Sequence, residues 1–427
     1  MRRGDLLNRL ESGALRNRLE AVYGPDADAA ALRLRDLVLE YAGIFPCGAD
    51  TETLLFSTPG RTELGGNHTD HQRGHALAAS VNLDTIACVS PNGSRTIRIK
   101  SRSHRMAEVD LDDLSVHPEE TGSSPSLVRG VAARLTELGF PIGGFDAYTT
   151  TRVLRGSGLS SSAAFEVLVC TIMNSLFCGG ALSPIQLAQA GQYAENVYFG
   201  KPCGLLDQMA CASGGVVAAD FADPAAPAAR QVRVDLAGLG YALCIVDTCA
   251  SHADLTEDYA AIPREMGEVA AFFGQEVLGQ VTEEQLLAQL DAVRSACGDR
   301  AVLRALHFFR DDRRVLRQRE ALEAGDFAAF LHCVRQSGRS SFMYLQNVSN
   351  YRDSRVQPVA VLLAAAEGLL EGKGACRVHG GGFAGTIQAF VPLEKLDRFV
   401  SGMEAAAGAG NCHVLTIRGA GSVLLVD

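Results

Sequence analysis

The chain has no tryptophan, and phenylalanine and tyrosine bring its aromatic share to only 6%. A stacking platform for single-stranded nucleic acid needs aromatic faces, so that function is disfavoured. Positive charge is also scarce: 39 Lys and Arg stand against 49 Asp and Glu, for a net charge of −10. Affinity for DNA or RNA rests largely on cations at phosphates, and no nucleic-acid partner is expected. A small anionic ligand stays open, because a few local donors outweigh a diffuse global charge. Long apolar runs are missing as well. The longest, Val359 to Leu370, is interrupted by Glu367 and is too short to cross a bilayer, so no membrane partner is expected. The basic start, Met1-Arg2-Arg3, has no apolar run behind it, which argues against a signal peptide. The 12 cysteines occur singly, with no C-x-x-C pair to hold zinc or cycle redox. Reduced, mostly buried thiols in a cytoplasmic protein are the expectation.

What is present supports a globular enzyme. With 427 residues, 47% of them hydrophobic, the chain is long enough for about two or three domains. Leu6 to Tyr23 and Ala29 to Tyr41 are charged, Leu-spaced segments that predict amphipathic helices, separated by Gly24-Pro25-Asp26. From Leu54 the texture changes to short strands. Thr85–Ser90 and Arg95–Lys100 flank Pro91-Asn92-Gly93, which predicts a hairpin because Asn-Gly accepts positive φ. Pro125 to Leu138 predicts a helix with Ser124 as its cap, and Gly144 to Thr151 a strand. Ser183-Pro184-Ile185-Gln186 and Thr282-Glu283-Glu284-Gln285 both carry capping boxes. Tyr241–Asp247, Thr386–Val391 and Ser422–Val426 predict later strands. Pro224 to Ala229, made only of Pro and Ala, is the best linker candidate. The mixture predicts a two-lobed α+β enzyme.

Four constellations carry chemistry. Pro59 to His71 packs Arg61, Glu63, Asn67, His68, Asp70 and His71 into a Gly-broken stretch. His68, Asp70, His71 and His75 are chemically competent metal ligands, but their spacing matches no zinc pattern. A polar turn-rich loop is the plain alternative; the density of Asp, Asn and His suits hydroxyl recognition. The second constellation is Gly156-Ser157-Gly158-Leu159-Ser160-Ser161-Ser162, a small-residue loop entering a helix, where backbone amides and the helix dipole favour an anion. It lacks the Gly-Lys-Ser/Thr of a Walker loop, and a Ser-rich cap remains an alternative. Gly380 to Gly385 satisfies G-x-G-x-x-G but leads into a strand, so a dinucleotide fold fails on context. The fourth runs from Glu195 through Gly200-Lys201-Pro202-Cys203-Gly204 to Asp207, an acid shortly after a Gly-Pro break. Cys203 reads as packing rather than as a nucleophile.

Together and in this order, these segments resemble the GHMP small-molecule kinases, and among them the galactokinases, from about Leu54 to the C-terminus. Gly60 to Asp70 resembles the galactokinase signature, Gly156 to Ala164 the phosphate loop, and Gly380 to Gly385 the third motif. Cys203 to Gln208, and Ser251-His252 through Asp258-Tyr259, are similar to further segments. The resemblance implies a two-lobed fold with the active site in the cleft, and transfer of phosphate from MgATP to the anomeric hydroxyl of galactose. It implies Asp207 as base and Arg61 as the cation beside it, an arrangement that keeps the carboxylate ionised. It implies sugar contacts from Asn67, His68, Asp70, Gly204, Asp207 and Tyr259. The triphosphate would be cradled by Gly156 to Ser162, and magnesium held by Ser161 and Glu195.

The chain departs from that pattern in places. It has Glu63 for the usual Asn, Gly65 for Ile, Asn67 for Glu, His71 for Tyr, and Leu154 for the Pro before the phosphate loop. Because the family's Glu at 67 contacts the sugar's C6 hydroxyl, a neutral Asn67 keeps galacturonate as an alternative substrate. A non-catalytic sugar sensor is the alternative of another class, opposed by the presence of Arg61, the serine run, Glu195 and Asp207. A zinc hydrolase is a remote third. The expected organisation is a helical extension over 1–52, a first lobe over 53–228 and a second over 229–427. The sequence leaves the oligomeric state open, with a monomer as the expectation.

Overall fold

The computed structural model describes residues 1–102, 104–154, 158–224, 226–250, 255–349 and 351–427. Two sheets organise it. The larger holds β1 (Leu54–Gly65), β2 (His75–Pro91), β3 (Thr96–Ser101), β4 (Ala107–Asp110), β5 (Phe145–Thr151), β6 (Val216–Asp220), β7 (Ala228–Val232) and β12 (Val423–Val426). Its main order is β12-β1-β2-β5-β3-β4, with β6 on the first half of β2 and β7 beyond it. The smaller sheet is antiparallel, in the order β11-β8-β10-β9, from β8 (Tyr241–Asp247), β9 (Ala375–His379), β10 (Thr386–Pro392) and β11 (Cys412–Leu415).

Helices cover both sheets. α1 (Arg3–Glu11), α2 (Arg16–Tyr23) and α3 (Ala27–Ile44) lay Leu6, Leu19, Leu34 and Tyr41 on Leu55, Ile86, Tyr148 and Leu425 of the large sheet. Its other face takes α4 (Ser124–Glu137), α5 (Ser161–Phe177), α6 (Pro184–Tyr193) and α7 (Leu206–Ser213). A helical layer follows: α8 (Thr256–Phe272), α9 (Glu283–Ala288), α10 (Leu290–Cys297), α11 (Asp299–Glu323) and α12 (Phe327–Ser340). α13 (Pro358–Leu370) and α14 (Leu396–Ala407) close the small sheet with Val359, Leu362, Phe399 and Met403. Every residue of β1 is buried, so it shows no alternation of apolar and polar faces, and its Arg61 and Glu63 are enclosed with the rest. Among the described residues no helix is long and apolar enough to cross a membrane.

Both capping boxes form as the sequence predicts, at Ser183–Gln186 and Thr282–Gln285. Other expectations are corrected. Leu6–Tyr23 is two helices, because the turn through Gly13, at φ 75°, redirects the chain. The α4 N-cap is Ser123, with Ser124 already inside the helix. Asn92 and Gly93 do make a turn, Asn92 Nδ2 donating to Thr96 O at 3.0 Å, but the flanking strands do not pair. β5 lies between them, parallel to β3 and antiparallel to β2. Ala228 and Ala229, the end of the Pro/Ala stretch, belong to β7 and pair with Asp220 and Ala219 of β6. Residues 229–427 are shared between the sheets, since β7 and β12 join the larger one.

Candidate active site

β1 delivers Arg61 to the first turn of α7, where Asp207 sits. The guanidinium makes a two-pronged contact, Nε to Oδ1 and Nη2 to Oδ2, both at 2.6 Å. Planar donors matched to a carboxylate give direction as well as strength. Ser160, the N-cap of α5 at φ 57°, donates its hydroxyl to Asp207 Oδ2. Burial pushes the Asp207 carboxyl up, but the Arg61 charge, the Ser160 and Arg61 hydrogen bonds and the Lys201 charge outweigh it. The result is a carboxylate held below its ordinary value, with its side chain still one-third exposed (34%).

The loop entering α5 meets Arg61 directly. Arg61 N donates to Leu159 O at 3.1 Å, and Nη1 to Gly158 O. In a trans peptide the N–H points away from the preceding C=O, so the Leu159 and Ser160 amides face the opposite side. Gly158 has φ 70° and lies so close to the His379 ring that a Cβ would stand 2.8 Å from Nδ1. Gly156 and Ser157 lie outside the described residues. Beside Ser161 and Ser162 opens a cavity of about 780 Å³, walled by Thr149 to Thr151, Arg102, Phe165 and Phe199.

Glu195 is the second residue of a π-helical turn, Ala194–Phe199, and is 2% exposed. Its Oε1 accepts from Ser162 Oγ at 3.1 Å and Lys201 Nζ at 3.0 Å, and its Oε2 from Gln208 Nε2 at 3.0 Å. The hydroxyl that reaches Glu195 is that of Ser162, next to Ser161 in the first turn of α5. Gln208 Nε2 also donates to Glu166 at 3.1 Å. Burial first, then the Glu195 charge, pushes the Glu166 acid well above the ordinary carboxylate range. One carboxylate and serine hydroxyls are hard oxygen donors, the small protein set that magnesium takes beside substrate phosphates, so these residues fit that ion. The His68–His75 loop shows another use of its histidines: His75 Nδ1 lies 3.0 Å from Asp312, and His68 stacks on His71.

The expected sugar residues divide. His68, at φ 61°, and Tyr259 both meet the Gly380–Gly382 turn: His68 Nε2 is 3.5 Å from Gly381 O, and Tyr259 hydroxyl donates to Gly382 O at 2.9 Å. Burial, then the neighbouring His71, pushes His68 down to about 3, so its ring is neutral at physiological pH. Asp70 packs on Gly204, three residues before Asp207; a Cβ on Gly204 would overlap Asp70 Oδ2. Asn67 is enclosed. Its Nδ2 donates to Gly380 O at 2.7 Å and Glu63 Oε1 at 3.2 Å, and its Oδ1 accepts from Asn347 at 2.7 Å. Ser251 and His252 lie outside the described residues.

Residues not singled out in the sequence complete this region: Asn347, Arg377, and the buried His307, Asp311, Arg314 and Gln318 of α11. Their spacing of four, three and four residues is a polar stripe on one helical face. That stripe was a readable signal, since solvated faces are broader and mixed with Lys and Glu.

Residues 126–215 match the family model described as GHMP kinases N terminal domain, and residues 43–91 the one described as Galactokinase galactose-binding signature. A galactokinase of Streptomyces coelicolor is 32% identical over 364 residues, covering 85% of this chain and 90% of that protein. A galactokinase of Streptomyces lividans is 32% identical over 355 residues, 82% of this chain and 85% of that protein. The crystal structure of Lactococcus lactis galactokinase complexed with galactose superposes with a TM-score of 0.78 at 24% identity, covering 92% of this chain and 99% of that one. The Methanococcus jannaschii mevalonate kinase superposes at 0.60 with 13% identity, covering 86% and 98%. These two likenesses establish the fold.

Proposed function

Because this chain belongs to the galactokinase family, we propose that it transfers the γ-phosphoryl group of ATP to the anomeric hydroxyl of galactose. The observation that carries the reading is the Arg61–Asp207 pair, closed by Ser160 at the mouth of the phosphate loop. Asp207, kept ionised, accepts the proton of the sugar hydroxyl as its oxygen attacks phosphorus. Arg61 orients that carboxylate and places positive charge where the transferring group gathers negative charge. Phosphoryl transfer has a loose transition state, so positioning and charge do most of what the protein must do. The Leu159 and Ser160 amides, at the start of α5, face the phosphates, and the neighbouring cavity beside Phe165 and Phe199 takes the nucleoside. His68, Asp70 and Tyr259 are the groups proposed to meet sugar hydroxyls.

Magnesium would be held by Glu195 with Ser161 and Ser162, and would supply neutralisation of phosphate charge. Lys201, now on Glu195, keeps that buried carboxylate compensated. We assign the two sheets to two lobes, with β7 and β12 belonging to the first, and the cleft between them to the substrates. All 12 cysteines are free thiols, which suits a reducing compartment, here the cytoplasm. A monomer is the proposed state.

The test is sugar-dependent ADP release with MgATP, offering galactose, galacturonate and no sugar. Galactose turnover that falls by about 10²-fold or more in Asp207→Asn is the expected outcome. Turnover on galacturonate alone would reassign the substrate, and sugar binding without ADP release would make the chain a sensor.

A further inference from the structure

Glu63 lies near the end of β1 and Asn67 two residues beyond that strand, and both are buried. Glu63 Oε1 accepts from Asn67 Nδ2 and from Arg377 Nη2. Arg377, on β9 of the other sheet, also donates from Nη1 to Ser337 Oγ at 3.0 Å. Asn67 is tied at every polar atom. Besides its side-chain bonds to Glu63, Gly380 and Asn347, its N–H donates to Asp311 Oδ2 at 3.1 Å, and its carbonyl accepts from His307 Nε2 at 3.0 Å. The next residue is His68, whose left-handed backbone places its ring at Gly381. So this knot joins the loop carrying His68 and Asp70 to the Gly380–Gly382 turn across the cleft.

We propose that Glu63 and Asn67 form one carboxylate–amide unit that positions the sugar loop, in which acid and amide can trade places but neither can be altered alone. The reason is charge accounting in a dry space. Arg377 is 1% exposed and finds its ion-pair partner in Glu63. A second carboxylate at 67 would be buried without a cation of its own, and an amide at 63 would strand Arg377; each is a strongly unfavourable state. Trading both keeps one charge and one amide. A Glu at 67 is one methylene longer than Asn and starts beside the oxygen that Arg377 already binds. Asn67 is thereby a positioning residue acting through His68, and Asn67→Glu alone cannot report on sugar preference.

The proposal rests on the galactokinase reading for its kinetic readout. The experiment is a four-cornered cycle: wild type, Glu63→Asn, Asn67→Glu and the double exchange, each assayed for kcat and for KM toward galactose and ATP, and for Tm. Each single change is expected to lower kcat/KM for galactose by more than about tenfold. The galactose KM rises while the ATP KM stays within about twofold. The double exchange is expected to recover at least about tenfold over Asn67→Glu. Losses that simply multiply in the double variant would overturn the proposal. So would a harmless Asn67→Glu, equal rises in both KM values, or a double variant that fails to fold. Folding of the double where Asn67→Glu does not fold supports it. If the wild type turns over no galactose, the function reading fails by itself, and the same cycle read in Tm still decides the exchange.

Discussion

Replacing Gly204 by alanine isolates the contact between the sugar loop and the loop of Asp207. Gly204 does not have a positive φ, so alanine meets no backbone penalty there. Its new methyl would overlap Asp70 Oδ2 and stand 3.0 Å from Asp70 Cγ. Relief requires Asp70 to retreat by roughly an ångström or more, or the Gly204–Asp207 turn to shift by as much, and misplacement on that scale costs about 10²-fold in rate. The obstacle is the end of a side chain rather than backbone, so the fold yields cheaply and Tm should move by only about 2 °C. Gly204→Ala is therefore expected to raise the galactose KM and lower kcat/KM by about ten- to a hundredfold, with the ATP KM close to wild type. The assay is steady-state ADP release with each substrate varied in turn, beside a thermal melt. A variant with wild-type galactose kinetics would refute the reasoning, because it would place Asp70 outside the sugar site. A large loss of Tm would refute it differently, by making the contact structural.

Two further predictions follow from the charges. The acid limb of kcat/KM should lie below the ordinary carboxylate range, since Asp207 is held ionised; in the residual activity of Arg61→Met it should move to higher pH, and a wild-type limb near pH 6 would contradict this. Asp84 is fully buried between Arg33 of the N-terminal helices and Arg418, with Tyr23 and Ser57 as hydrogen-bond donors. Burial pushes its carboxyl up, but Arg33, Arg418 and Ser57 outweigh that and hold it lowered. Its stabilisation is therefore present above the unfolded-state value near 3.9 and is lost as pH falls through the lowered folded value. Asp84→Asn should cost about 3–5 kcal/mol in urea unfolding at neutral pH, because both guanidinium groups lose their partner. A cost below about 1 kcal/mol would show the extension to be loosely attached.

Much of the candidate site was legible because its residues lie in short motifs whose chemistry is local. Arg61, Ser160 and Asp207 are named by their loops, and the structure brings them into one contact. The capping boxes at Ser183 and Thr282 were legible for the same reason: both partners lie within four residues. Pairings between distant strands were not. Asn92-Gly93 dictates a turn, yet nothing in those residues says that Phe145–Thr151 will enter between β2 and β3. Asn67 illustrates the same limit at the site. Its side-chain type suited hydroxyl recognition, but Gly380 and Asn347, about three hundred positions away, satisfy its amide instead.

The sequence by itself therefore determined many of the elements, the small-residue loop that enters α5, the acid–cation pair and the family, all properties of local residue order. The tertiary structure alone decided that Ser162 reaches Glu195, that Glu63 finds Arg377, and that β12 returns to the first sheet. The physical reason is that burial and charge compensation are settled between segments far apart in the chain. A buried carboxylate takes whichever cation the packing brings to it, and the local sequence around Glu63 carries no mark of Arg377.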